Sequence, residues 1–342
     1  MKFAAPERQK SSGEDDMKYI SKEKLKDFLG GLVKENLLWG ITDGRYEPIK
    51  EMPELELKCG TQKFSPKEIL LPQDESLMIY RDGEVREAFG GAKRVVWAIR
   101  PCDAYGLELL GKIFYQDPID PYYKRRRENT IIIAIACREP LPGCFCTSFP
   151  AFDPFKRYEA DLLLCEGNEG YYLIDASENG KKLLNDWEEV QDELALKEIE
   201  NVKRNLAEQL ESQKVNTAEL KSRMLNRFED IEFWRELGDR CLGCGICTFL
   251  CPTCYCFDIS DERVKGIVRR ARFWDACQFP LFTLEASGHN PRPSRTHRMR
   301  QRFMHKLSFF AQKFGHYQCV GCGRCVIYCP VNIDIREVIN RA

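Results

Sequence analysis

Four short apolar runs, rich in β-branched residues, punctuate the first half of the chain: residues 94–100 (RVVWAIR), 130–136 (TIIIAIA), 160–165 (ADLLLC) and 171–174 (YYLI). The second is apolar at nearly every position, the pattern of a strand buried on both faces. Between the first two, residues 104–115 (AYGLELLGKIFY) carry apolar side chains at helical intervals. Strand, helix, strand predicts a βαβ unit and an α/β sheet. The last two runs are separated by EGNEG, which predicts a hairpin. Ahead of all of them, Ser21 is placed to cap a first helix over SKEKLKDFLGGLVKEN.

The pattern changes after residue 186. Residues 187–236 are highly charged and free of proline, yet EEVQDELALKEIENVKRNLAEQLE keeps apolar residues at helical spacing. This reads as a solvated helical connector. Four zones follow: a polar tail (1–17), an α/β domain (18–186), the charged helical connector (187–236) and a C-terminal domain (237–342). The last contains helix-like stretches such as residues 301–314, so the expected fold class is α+β: an N-terminal α/β domain followed by a mainly helical, two-cluster ferredoxin-like domain.

Composition narrows the function. Hydrophobic residues make up 43% of 342, enough for globular cores. The charges nearly cancel, 52 Lys plus Arg against 53 Asp plus Glu, which argues against a nucleic-acid binder. No apolar run reaches the roughly eighteen residues of a membrane helix. The start, MKFAAPERQKSSGEDDMKY, lacks the apolar stretch of a secretory signal, so a cytoplasmic location is expected. Seventeen cysteines in a reducing compartment are not structural disulfides; their odd number and tight clustering point to metal ligation.

Two segments share one pattern. CLGCGICTFLCP carries Cys241, Cys244, Cys247 and Cys251; CVGCGRCVIYCP carries Cys319, Cys322, Cys325 and Cys329. Both are the C-x2-C-x2-C-x3-C-P run of bacterial-type ferredoxins. Three thiolates at a stride of three residues wrap one cubane from a single loop. Gly243, Gly245, Gly321 and Gly323 let the backbone approach the sulfurs. The fourth cysteine ligates the other cluster in two-cluster ferredoxins. One [4Fe-4S] cluster is therefore assigned to Cys241, Cys244, Cys247 and Cys329, the other to Cys319, Cys322, Cys325 and Cys251. Zinc sites use separated ligand pairs, and a c-type haem needs CxxCH, which does not occur.

A quieter set lies upstream. Cys102 and Cys137 each follow a predicted strand, and Cys144 and Cys146 come soon after in PLPGCFC. Functional groups collect beyond the carboxyl ends of strands in α/β sheets. If the two strands are parallel neighbours, the four thiols converge on one crevice as ligands of a third [4Fe-4S] cluster. The competing reading is scattered structural thiols or a redox pair. Cys59 and Cys165 read as isolated core cysteines. Cys254, Cys256 and Cys277 are either extra ligands or buried thiols. The basic run at 292–306, RPSRTHRMRQRFMHK, is either a counter-charge for thiolate-ligated clusters, an anchor for acidic partners, or a solvated face.

No GxGxxG after a strand, no P-loop and no GxSxG elbow occurs, so the chain has no recognisable catalytic site. RPCDAYGLELL, ACREPLPGCFC, DRCLGCGICTFLCPTCYCFD, FWDACQF, SGHNPRP and YQCVGCGRCVIYCPVNID, in this order, resemble the beta (iron–sulfur) subunits of soluble sulfhydrogenases. They are also similar to an iron–sulfur component of anaerobic sulfite reductase, and related iron–sulfur proteins accompany flavin subunits in heterodisulfide-reductase-linked complexes. The resemblance implies a partner subunit with FAD that exchanges hydride with NAD(P)H, and a terminal oxidoreductase served by single electrons. The expected role is an electron-relay subunit of a complex from an anaerobe. The competing readings are a catalytic iron–sulfur module acting on its own substrate, and a metal-stapled docking protein.

Overall fold

The computed structural model describes residues 17–52, 62–88, 91–184, 187–190, 192–264 and 266–342. Cys59 and residues 1–16 of the polar tail lie outside the described residues. The chain opens with strand β1 (Met17–Ser21) and helix α1 (Lys22–Lys34), whose first turn is capped as expected: the Lys24 N–H donates to Ser21 Oγ. Then come β2 (Leu38–Thr42), β3 (Arg45–Pro48), the short α2 (Lys67–Leu70), β4 (Asp74–Arg81) and β5 (Glu84–Glu87). The predicted βαβ unit follows as β6 (Arg94–Ile99), α3 (Pro101–Phe114), α4 (Pro121–Glu128) and β7 (Thr130–Ile135). The predicted hairpin is β8 (Leu162–Glu166) and β9 (Gly170–Ala176), with Cys165 opposite Tyr172.

These strands build an eight-stranded mixed sheet in the order β10-β1-β9-β8-β7-β6-β2-β3, β10 being Glu188–Val190 after the short α5 (Glu178–Lys181). Its centre is parallel: β2 with β6, β6 with β7, and β7 with β8. The parallel strands are buried along nearly their whole length, which is why they read as continuous apolar runs. The stretch read as a connector forms α6 (Asp192–Glu211) and α7 (Leu220–Asn226). It is not solvated all round. Ala195, Ile199, Val202, Leu206 and Leu210 form a buried stripe at helical spacing, and Ile199 and Val202 pack beside Cys165.

The C-terminal part holds α8 (Ile231–Arg240), α9 (Ile246–Phe249), the hairpin β11 (Phe257–Val264) and β12 (Ile267–Trp274), and α10 (Arg295–Met304). A π-turn, His305–Phe309, joins α10 to α11 (Phe310–Phe314); α12 (Arg324–Ile327) and α13 (Ile335–Arg341) end the chain. The expected helices are present, but the spacer between the two cysteine motifs also contains the β11–β12 hairpin.

That hairpin completes a second sheet, β11-β12-β4-β5, by pairing β12 with β4 from nearly two hundred residues upstream. One hydrophobic core runs from Ile41 and Tyr105 through Trp234 and Phe303 to Ile339. Two buried ion pairs cross the same seam. Arg272 holds Glu75 through Nε at 2.9 Å, with Arg126 on the other carboxylate oxygen. Arg324 forms a bidentate pair with Asp103, both contacts at 2.7 Å. Among the described residues no helix is long and apolar enough to cross a membrane.

Candidate metal centres

The end of β6 is shaped by an irregularity. Ala98 has φ of +61°, inside a register shift between Val96 and Ile99, and it is fully buried. A left-handed alanine costs of order 1–3 kcal/mol and persists only where its surroundings hold it. Here the Tyr46 hydroxyl (3.2 Å) and Gln62 Nε2 (3.0 Å) both donate to the Ala98 carbonyl. The strand is thereby re-aimed just before Arg100 and Pro101, and Pro101 starts α3 at the position where proline costs no hydrogen bond. Cys102 sits in that first turn.

At this carboxyl edge of the sheet the four upstream thiols gather. Cys102 is within electrostatic reach of Cys137, as are Cys144 and Cys146, and Arg100 Nη1 donates to Cys137 Sγ at 3.5 Å. Burial pushes the Cys144 thiol up to about 11 and raises Cys102, Cys137 and Cys146 as well. In the metal-free chain these groups keep their protons; ligating a metal releases them.

The second ferredoxin-type loop lies directly against this crevice. Phe145 N–H donates to the Gly321 carbonyl at 2.8 Å, and Cys322 is within electrostatic reach of Cys102 and Cys144. Gly321 (φ +62°) and Gly323 (φ +77°) make the approach possible. A Cβ at Gly321 would meet the Cys146 backbone at 2.5 Å, and one at Gly323 would meet the Gly143 carbonyl at 2.6 Å. Between them Cys322 and Arg324 are carried inward, and Arg324 reaches Asp103, next to Cys102 in the sequence.

The two C-terminal motifs interleave. Cys241, Cys244 and Cys247 line one cavity together with Cys329, and the backbone N–H groups of Gly243 and Ile333 donate to the sulfurs of Cys241 (3.3 Å) and Cys329 (3.2 Å). Cys325 touches the same cavity. Cys251 sits instead among Cys319, Cys322 and Cys325, each of which feels its charge. Burial pushes Cys247 up to about 11 and Cys319 up to about 12. Cys251 goes the other way. Burial raises it too, but the Cys254 thiol and the cations of Lys306, Lys67 and Arg302 outweigh that and hold it well below its ordinary value. Lys306 Nζ donates to Cys251 Sγ at 3.0 Å. Cys165 is fully buried in β8, away from these sets.

The buried cations were visible in the sequence only as part of the basic run. Arg298, Arg302 and Lys306 recur every four residues, so they share one helix face, and all three are buried. The π-turn at His305–Phe309 inserts an extra residue into that helix just where Lys306 turns toward Cys251. Arg302 faces Cys247 and Cys325. Thus this part of the run meets thiols and not solvent. Lys67, Asp103 and Gln278 carried no sequence signal. Lys67 is buried, with Nζ donating to the carbonyls of Thr248 and Cys254, and Gln278 lies between Cys241 and Cys277.

Donor chemistry matches thiolate-bound iron–sulfur clusters: sulfur ligands, backbone N–H groups turned to the sulfurs, and buried cations without carboxylate partners beside Cys251. Among the described residues no three Cys, His, Asp or Glu side chains are close enough to hold a single metal ion. The thiols surround spaces and do not meet at a point.

Residues 240–333 match the family described as a 4Fe-4S dicluster domain. The chain is 32% identical over 304 residues to the sulfhydrogenase 2 subunit beta of Pyrococcus furiosus, spanning 86% of this chain and 88% of that one. It is 24% identical over 178 residues to the F420-dependent formate dehydrogenase subunit beta of Methanocaldococcus jannaschii, 51% of this chain and 39% of that protein. No solved structure matches.

Proposed function

The chain belongs to the family of the sulfhydrogenase beta subunit, and from that premise we propose that it is the electron-relay subunit of a multi-subunit oxidoreductase, joining an FAD subunit that uses NAD(P)H to a terminal redox enzyme. The two C-terminal [4Fe-4S] clusters take their ligands crosswise, Cys241, Cys244, Cys247 and Cys329 for one and Cys319, Cys322, Cys325 and Cys251 for the other. A third is held by Cys102, Cys137, Cys144 and Cys146.

One observation carries this reading. The three sets of thiols adjoin one another in succession: the upstream set adjoins Cys322, and the Cys322 set adjoins the Cys241 set through Cys325 and Arg302. Bound clusters supply one-electron carriers, and a flavin partner is needed to split the electron pair of NAD(P)H. The residues of the chain hold those carriers and neutralise their charge. Cys244 is exposed, as is Leu242 beside it, so the Cys241 set reaches the surface where a partner docks.

The test is reduction of the iron-loaded chain. Dithionite is expected to reduce it, whereas NAD(P)H leaves it oxidised until the flavin subunit, recovered by anaerobic co-purification from the native source, is added. Oxidation of NAD(P)H by the isolated chain would sink the relay reading and favour a catalytic module.

Cross-ligation has its own outcome. Cys251→Ser is expected to remove the paramagnetic signal of the cluster bound by Cys319, Cys322 and Cys325, and Cys329→Ser that of the Cys241 set. Each variant should lose about four irons of one cluster and keep the other. Loss of the local cluster in each variant contradicts the assignment.

A further inference from the structure

Besides Cys59 and the isolated Cys165, three cysteines stand outside these sets. Cys254 and Cys256 lie in the loop after α9, and Cys277 follows β12. The β11–β12 hairpin brings them together: Phe257 pairs with Trp274, and the Asp275 N–H donates to the Cys256 carbonyl at 3.0 Å. All three line a cavity of about 320 Å³, at the lower end of the roughly 300–1,000 Å³ typical of ligand sites. Tyr255, Phe257 and Phe282 supply apolar wall; Arg302 and Lys306 supply positive charge, and among the described residues no carboxylate lines the space.

Two buried polar groups at this wall lack protein partners among the described residues. Arg302 is only 4% exposed, yet its Nη1 has no hydrogen-bond acceptor, and Gln318 Oε1 has no donor. A buried donor left unpaired costs about 1–3 kcal/mol, more when charged. A cation with a free donor, facing thiols and no carboxylate, is built for an anionic occupant. Thiol donors select soft metals and iron–sulfur clusters. Cys256 and Cys277 hydrogen-bond to each other and Cys254 to Cys251, and among the described residues no three ligands close on a single ion; a cluster seated in the cavity is the occupant that draws on all three thiols.

We propose that Cys254, Cys256 and Cys277 hold a further iron–sulfur cluster in this cavity, with one iron left without a protein thiolate and open to an exogenous ligand. Any of these thiols that still carries a proton gives it to solvent on ligation. The proposal rests on the reading of the flanking sets as cluster ligands, since Arg302 also faces Cys247 and Lys306 bonds to Cys251. Gln278, which donates to Cys277 Sγ at 3.6 Å and contacts Cys241 Sγ at 3.7 Å, couples the new site to the first cluster.

The full-length, anaerobically purified chain with its iron is treated with iodoacetamide under native conditions, and each cysteine is then read by peptide mass. The same chain stripped of iron by a chelator is the reference. Cys254, Cys256 and Cys277 are expected to be alkylated at least about tenfold more slowly in the iron-loaded chain, because a metal-bound thiolate is withdrawn from alkylation. Full labelling of Cys256 and Cys277 while Cys241, Cys247, Cys319 and Cys325 stay protected overturns the proposal and spares the reading beneath it. Labelling of all seven overturns both. A peptide two hydrogens lighter, joining Cys256 to Cys277, also overturns it in favour of a disulfide. In parallel, Cys277→Ser is expected to lose about four irons while Cys241 and Cys319 remain protected; unchanged iron contradicts the site.

Discussion

Replacing Asp103 with alanine is expected to destabilise the iron-loaded chain by about 3–5 kcal/mol, because it leaves the Arg324 guanidinium buried and unpaired. Arg324 is 2% exposed and spends both terminal nitrogens on the Asp103 carboxylate, with Nε donating to the Gln62 carbonyl at 3.1 Å. The size of the effect comes from stranding a charge, not from the strength of the pair itself. Exchanging both partners for apolar residues of similar volume, Asp103→Leu with Arg324→Met, should therefore recover most of the loss. Urea-unfolding midpoints of the single and double variants decide this. A loss below about 1 kcal/mol in the single variant would mean that water reaches Arg324. The pair joins the residue after Cys102 to the residue before Cys325, so the single variant should also broaden the paramagnetic signal of the cluster proposed at Cys325 and, with the proposed third cluster, of the site at Cys102.

Changing Cys144 and Cys146 together to serine is expected to remove about four irons per chain and to leave the two C-terminal clusters in place. Both cysteines come from the loop that docks on Gly321 and Gly323, and that docking uses backbone atoms which serine preserves. The Phe145 to Gly321 hydrogen bond should hold the loop in position even without the metal. Iron and sulfide analysis reads the loss, and low-temperature spectra identify which signal disappears. An unchanged iron content would remove the third cluster and leave the four thiols as packing groups. Loss of every cluster at once would instead mean that this metal holds the whole seam together.

Legibility in the sequence followed how local each interaction is. The ferredoxin-type ligands lie three residues apart on one loop, so their spacing alone carries the chemistry. That the upstream thiols come near one another was readable because β6 and β7 are buried strands and each is followed within three residues by a cysteine. Two things escaped. The strands FDISDERV and IVRRARFW are rich in charge, since much of their surface faces solvent, so no apolar run announced them. Their pairing with β4 joins segments far apart in sequence, which no local pattern encodes. The buried cations were half legible. Arg298, Arg302 and Lys306 sit at a spacing of four, but a stripe of charge reads equally as a solvated face until thiols are found opposite it. Cys254 and Cys256 come directly after the first motif in sequence, yet only the hairpin return brings Cys277 to them.

The pairing of β4 with β12 also sets a schedule for biosynthesis. A ribosome adds roughly 5–20 residues per second, so β4 leaves the exit tunnel on the order of ten seconds or more before its neighbour exists. Until then its edge is bare, Glu75 lacks Arg272, and Asp103 waits for Arg324. Strands with unpaired edges are the ones that aggregate, and the exposed, charged face of β5 (EVRE) on the far side guards only one flank. The nascent first half therefore stays open at this edge until the C-terminal hairpin is made. Truncation anywhere before β12 leaves β4 with an unpaired edge and exposes the fragment to aggregation.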